Sequence, residues 1–176
     1  MDQHLIIFVN PPSFKEKDKN EQLKSYLHTM EHIAAISSNI SASRHIYYDK
    51  HIENDSFFND EFFQKKIHQN KLPKHQLSDA LKESFGQWAK KVVFMSSNSS
   101  HVSQNDIELV FNQLDNSEFV IIPSENGGIL IFGTTFFNSE LLNYFPWSNE
   151  DDLLDTIISL QKSKRSYCVL GTKNDI

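Results

Sequence analysis

The chain has 176 residues, with 17 Lys and Arg against 23 Asp and Glu, for a formal net charge of −6. That length fits one domain, and a chain of this size buries roughly 70% of its unfolded surface, enough for a core without staples. The acidic balance excludes a basic groove for nucleic acid and electrostatic attraction to an anionic membrane, and the single cysteine, Cys168, excludes an internal disulfide and a zinc site built on cysteine pairs.

The N-terminus, Met1-Asp-Gln-His4, lacks a basic n-region, so no signal peptide is read. No apolar run approaches the ~20 residues of a membrane span, and the cytoplasm is the expected compartment. Leu5 to Val9 is a continuous, β-branched run that stops at Asn10-Pro11-Pro12. Such a run fits a strand buried on both faces of a parallel sheet. Residues 13–22 are polar and read as a loop. Leu23, Leu27, Met30 and Ala34 recur at helical spacing and predict an amphipathic helix. Arg44 to Tyr48 predicts a second strand, residues 49–61 an irregular crossing around a Phe pair, and Phe62 to His68 a short strand.

Leu77, Leu81, Phe85 and Trp88 line one face of a second helix, with Trp88 in the core. Val92 to Met95 is again apolar at every position and predicts a central strand beside Leu5 to Val9, parallel to it. It opens into Ser96-Ser97-Asn98-Ser99-Ser100, after which Ser103 to Asp106 reads as a capping box for a helix carrying Ile107, Val110, Phe111 and Leu114. Phe119 to Ile122 and Gly128 to Phe132 predict two more strands. Ser148 to Asp151 reads as another capping box, before a helix whose apolar face is Leu153, Leu154, Ile157 and Ile158. Ser166 to Leu170 is the last strand, with Cys168 a small buried hydrophobe. Short apolar strands alternating with amphipathic helices predict a single α/β domain over residues 1–176, a three-layer α/β/α sandwich with a mixed, mainly parallel sheet.

In open α/β sheets ligands bind beyond the carboxyl ends of the strands. Three segments fall there: Asn10-Pro11-Pro12 with its loop, Ser96 to Ser100, and the turn Pro123 to Gly128. The serine segment reads either as an oxyanion site or as a polar strand-to-helix loop. Asn126-Gly127-Gly128 suits a tight turn, and a Gly pair also admits a ligand close to the backbone. The eight histidines supply no metal motif, and His28 and His32 share a helix face without a third ligand. Trp147 reads as core or as a pocket wall. A serine nucleophile elbow, a P-loop and a dinucleotide fingerprint are all missing.

Taken in order, these landmarks resemble the small bacterial glycosyltransferase-like proteins often called radical-SAM/selenodomain-associated transferases. The resemblance implies the nucleotide-diphospho-sugar transferase (GT-A) fold. Leu5 to Val9 with Pro12 is similar to that family's first strand and loop, and Val92 to Ser103 to the strand that usually ends in Gly-Ser-Asp-Cys-Pro. Val120 to Gly128, followed by Gly133, resembles its Pro-Ala-Glu-Asp-Gly-Gly segment. Phe145-Pro146-Trp147-Ser148 resembles its Pro-Trp-Ser helix start, and Thr172 to Asp175 its terminal stretch. On this resemblance the ligand-binding positions are Asn10, Pro12, Ser97, Asn98, Asn126, Gly127 and Gly128.

The charged groups that the family carries are missing. Asn10 stands where an Arg is expected, Asn98 and Asn126 stand where Asp is expected, and Lys17 to Asn20 replaces a basic run. Catalytic residues are therefore unassigned. No cofactor is expected, and a divalent metal (Mg²⁺ or Mn²⁺) enters only if transfer activity survives. The resemblance implies a catalytically impaired binding or interaction module. An active nucleotide-sugar or nucleotidyl transferase with a rebuilt, metal-poor site is the alternative. A third reading is a structural subunit that meets a protein partner through the Phe-rich residues 57–63. Expected partners are a nucleotide or nucleotide-sugar, or a protein, with neither nucleic acid nor membrane.

Overall fold

The protein was analysed as a computed structural model, which describes residues 1–11, 18–50, 55–97, 99–144 and 151–172. Seven strands of these residues form one sheet. They are β1 (Gln3–Val9), β2 (Ser43–Tyr48), β3 (Gln64–Ile67), β4 (Lys91–Ser96), β5 (Phe119–Pro123), β6 (Ile129–Thr134) and β7 (Tyr167–Val169). Their order is β3-β2-β1-β4-β6-β5-β7. β6 runs antiparallel to both neighbours, and every other pairing is parallel. The two fully apolar runs are adjacent and parallel, with Ile6 opposite Phe94, as their composition requires.

The helices are α1 (Lys19–Ser38), α2 (Pro73–Gly86), α3 (Gln104–Gln113) and α4 (Asp152–Lys162), with a 3-10 turn at Leu141–Tyr144. They cover both faces of the sheet. Leu5, Ile7, Val93 and Ile122 pack with Met30 and Ile33 of α1 and Ile107 and Val110 of α3. Ile6, Phe8, Phe94 and Phe132 pack on the other side with Leu77 and Leu81 of α2 and Leu160 of α4. The result is the three-layer arrangement. None of the described helices is long and apolar enough to cross a membrane.

α3 starts at the expected capping box. Ser103 Oγ accepts from the Asp106 N–H at 3.2 Å, and Asp106 Oδ2 accepts from the Ser103 N–H at 2.8 Å. The helix lies so close to β6 that a Cβ at Gly133 would stand 2.6 Å from Val110 Cγ1. For α4, the capping serine Ser148 lies outside the described residues, as does Trp147, and the N-cap residue Asp151 makes no side-chain cap bond.

Several expected faces are corrected. In α1 the buried residues are Met30, Ile33, Ala34 and Ser37, all in its second half, while Leu23 and Leu27 are exposed. In α4 the inward face is Leu153, Thr156, Ile157 and Leu160, and Leu154 and Ile158 point outward. Cys168 is only partly buried, since β7 is an edge strand. The Phe-rich segment is mostly core: Phe58 and Phe63 are buried with rings 5.1 Å apart, and Phe62 is exposed beside the Arg44 guanidinium.

Trp88 is the largest departure, at 87% exposed. α2 ends in a Schellman pair, in which Trp88 N–H donates to Phe85 O and Ala89 N–H to Ser84 O, both at 3.1 Å. That motif places its turning residue in the left-handed region, and Trp88 has φ 67°. A tryptophan holds the position that glycine fills at least cost, and its ring gains no burial. Replacing it (Trp88→Gly) is expected to stabilise the protein by about 0.5–1 kcal/mol, relief of left-handed strain outweighing the entropy of glycine. Urea unfolding followed by circular dichroism measures this, and a loss of stability would mean that the indole has a contact worth keeping.

His4 and His45, on neighbouring strands, are 3% and 1% exposed with ring centroids 4.7 Å apart. Both ring nitrogens of His45, and Nδ1 of His4, are buried without a hydrogen-bond partner. Burial, with Lys66 and His4 nearby, pushes His45 from 6.5 down to about 4, against the pull of Glu83. The folded protein therefore binds this proton more weakly than the unfolded chain does. Stability is full above pH 6.5 and falls as the pH drops from 6.5 towards 4. The full loss is about 3 kcal/mol, from the value of each pKa unit. His45→Phe should flatten that part of a stability-versus-pH curve, whereas an unchanged slope would assign the acid sensitivity to other groups.

Candidate functional site

The carboxyl ends of β1 and β4 are joined directly. Ser97 N–H donates to Phe8 O at 2.8 Å, and Asn10 N–H donates to Ser97 Oγ at 3.1 Å. Ser99 Oγ reaches Leu130 O at 3.5 Å, which links the loop after β4 to β6. The turn between β5 and β6 opens at this same end, because β5 runs parallel to β4. There Ser124 Oγ accepts from Gly128 N–H at 3.0 Å, and Ser124 N–H donates to Gly128 O at 3.0 Å. Gly127 adopts φ 82°, so the turn itself calls for glycine. Leu153 N–H donates to Gly127 O at 3.2 Å and ties α4 to the turn.

Five of the seven sequence-derived positions thus lie at the strand-carboxyl end of the sheet. Asn10 and Asn126 are exposed, Gly127 is half-buried, and Ser97 and Gly128 are buried. Pro12 and Asn98 lie outside the described residues, as does Lys17. The Ser97 and Ser99 hydroxyls hold backbone, which favours the structural reading of the serine segment for those two residues.

Among the described residues, a concavity at this end lies away from the β4 side. A cleft of about 590 Å³ lies beyond β1, β2 and β3, with Asn10, Asp49, Lys50, His68, Lys71 and Gln76 among its walls. Only Asn10 is shared with the sequence-derived set. The loop that follows β3 is fastened to α2: Asn70 donates to the Asp79 carboxylate, and Gln76 Nε2 donates to Asn70 O at 2.9 Å and to Asp49 Oδ1 at 3.3 Å. One amide therefore holds the β2 and β3 loops at a fixed separation. The sequence signal for these residues was the polar run His68-Gln-Asn-Lys71 directly after a strand. The strand-end rule applies to it once β3 is known to be parallel.

Beneath α2, Tyr47 OH donates to Glu83 Oε2 at 2.8 Å, and Lys66 Nζ pairs with Glu83 Oε1 at 2.5 Å. Burial raises the Glu83 carboxyl, but the bonds from Lys66 and Tyr47 outweigh it and hold the group below its ordinary range. Burial and the bond to Glu83 raise the Tyr47 hydroxyl, which stays protonated. The His68 ring stacks on Tyr47 at 5.3 Å and meets Phe8 edge-on at 4.3 Å. Burial lowers His68, opposed by Asp49 and Asp79, so the cleft floor carries a neutral imidazole near pH 7.

The donor set was tested against a divalent metal. Among the described residues no three His, Cys, Asp or Glu side chains are grouped to hold one.

Ser97 is the joint between the β1 and β4 loops, so Ser97→Ala is expected to cost about 1 kcal/mol, the usual net value of one hydrogen bond. Chemical denaturation measures it, and a neutral result would mean that the Asn10 amide finds water instead.

The same fold occurs in solved structures of low sequence identity. A Desulfovibrio desulfuricans G20 protein assigned to the nucleotide-diphospho-sugar transferases matches at TM-score 0.86 and 16% identity, covering 99% of this chain and 82% of that one. A cytidylyltransferase from Leptospira borgpetersenii serovar Hardjo-bovis matches at TM-score 0.61 and 11% identity, over 99% and 78% of the two chains. CMP:2-keto-3-deoxy-manno-octonic acid synthetase, solved with CTP, matches at TM-score 0.56 and 8% identity, over 97% and 90%. No match was found among proteins of curated function. The sequence pattern of one family covers residues 32–149, which takes in everything from the middle of α1 past the turn between β5 and β6. The chain belongs to that family, described as uncharacterized protein conserved in bacteria (DUF2064).

Proposed function

We propose that the protein binds a nucleotide or nucleotide-sugar in the cleft beyond β1, β2 and β3, and that it is impaired in transfer. The supporting observation is the cleft itself: about 590 Å³, at the carboxyl ends of parallel strands, in a fold it has in common with a synthetase solved with CTP. Departure of a nucleoside diphosphate builds negative charge on the leaving oxygens, and a metal ion or several cationic groups must stabilise it. Asn10, Asn98 and Asn126 are neutral where the resemblance to radical-SAM/selenodomain-associated transferases implies Arg, Asp and Asp. An amide can accept a hydrogen bond or ligate, but it contributes no charge. Those three positions therefore contribute no charge to the stabilisation that bond cleavage needs.

Calorimetric titration with nucleoside diphosphates, nucleoside triphosphates and nucleotide-sugars, each with and without Mn²⁺, tests this reading. Binding of at least one nucleotide is expected, without release of sugar or pyrophosphate in a coupled assay. Absence of binding across the panel would overturn the nucleotide reading, and turnover would overturn the impairment.

A further inference from the structure

The cleft poses a question of charge. A nucleoside diphosphate brings two phosphate groups, and no described group of carboxylates or imidazoles is placed to hold a metal against them. Lysines stand at the rim instead. Lys50, on the loop after β2, and Lys71, on the loop after β3, both line the cleft. Lys74, in the first turn of α2, lines an adjoining cleft of about 380 Å³ that meets the first at Asn70.

These three ammonium groups are exposed and have no ion-pair partner among the described residues. Lys65, Lys66, Lys90, Lys91 and Arg165 are each paired with a carboxylate, whereas Lys19, Lys24, Lys82, Lys162 and Lys164, like the cleft lysines, have no such partner among the described residues. Two unpaired lysines, Lys50 and Lys71, thus stand on one cleft, and a third, Lys74, stands on the cleft that adjoins it. Carboxylates share the rims: Asp49 lines the first cleft, and Asp79 and Glu140 line the adjoining one, where Lys82 is a further cation. No acidic residue stands in the first turn of α2.

We propose that Lys50, Lys71 and Lys74 form a phosphate-binding rim, so that the protein takes a nucleoside diphosphate without a divalent metal. This rests on the nucleotide reading given above. The ammonium groups are point charges on flexible stems, and they follow a phosphate group without the fixed geometry that a metal demands. Their contacts are exposed and weaken with salt.

The test uses CDP and inorganic pyrophosphate as probes in calorimetric titrations of the whole chain in EDTA. Both are expected to bind, with affinity falling as salt rises. The Lys50→Ala/Lys71→Ala double variant should lose affinity for both by about tenfold, roughly threefold per exposed charged contact. Lys50→Arg/Lys71→Arg should keep most of it. Lys90→Ala, at the opposite end of the sheet, should bind as the parent does, and melting curves check that every variant is folded. CDP binding that vanishes in EDTA and returns with Mn²⁺, or that persists unchanged in the double alanine variant, would sink the lysine rim and leave the nucleotide reading standing. Failure to bind any nucleotide with or without metal would sink both.

Discussion

Pairing of β1 with β4 sets the terms for the rest of the molecule. From Leu5 to Val9, and again from Val92 to Met95, neither strand offers a polar side chain to either face. Two such strands side by side have no surface that tolerates water, so both faces of the sheet must be covered. α1 and α3 cover one face, α2 and α4 the other. The connections from β1 to β2, from β3 to β4 and from β4 to β5 then pass through helices, and every parallel strand empties its carboxyl end into a loop on the same side. The cleft and the β1–β4 joint at Ser97 both follow from that geometry.

β6 modifies the plan. By running antiparallel between β4 and β5 it replaces a helical crossover with a short turn, Ser124 to Gly128, at the ligand end. The turn is built tightly, with its own serine closing it and α4 tied to Gly127. The cleft described above lies on the other flank, where β2 and β3 feed polar loops. A hydrogen-bonded β4–β6 flank thus stands beside a polar, lysine-bearing β2–β3 flank at one end of the sheet.

Continuous apolar runs disclosed β1, β4 and β5, because burial on two faces leaves no other composition available. Helix faces were less legible. Leu23 and Leu27 fit the spacing of a buried stripe, but spacing cannot tell which turns of a helix are covered. Trp88 continues the apolar stripe of α2 in sequence, yet the chain reverses at that residue and turns it outward. The cleft was the hardest feature to read. It depends on β3, whose Gln-Lys-Lys-Ile sequence carries hardly any apolar signal, and on an amide, Gln76, whose role exists only when two loops are near. Asn10 was identifiable because it follows an unmistakable strand. His68 and Lys71 follow one that could be recognised only from its pairing with β2.

β3 also has a bearing on self-association. It is the last strand on its side, so one row of its backbone groups has no neighbour within the sheet. An open edge of this kind is a template on which further strands, from the same or another chain, can add. Here the edge is four residues long and bears two consecutive lysines. Lys65 is held by Asp55 and Asp60, and Lys66 by Glu83. An incoming strand would have to strip water from both charged clusters while gaining only a few backbone bonds. The ion pairs that look dispensable for stability at this margin therefore act as a barrier to sheet growth, and they discourage aggregation from the flank that carries the cleft.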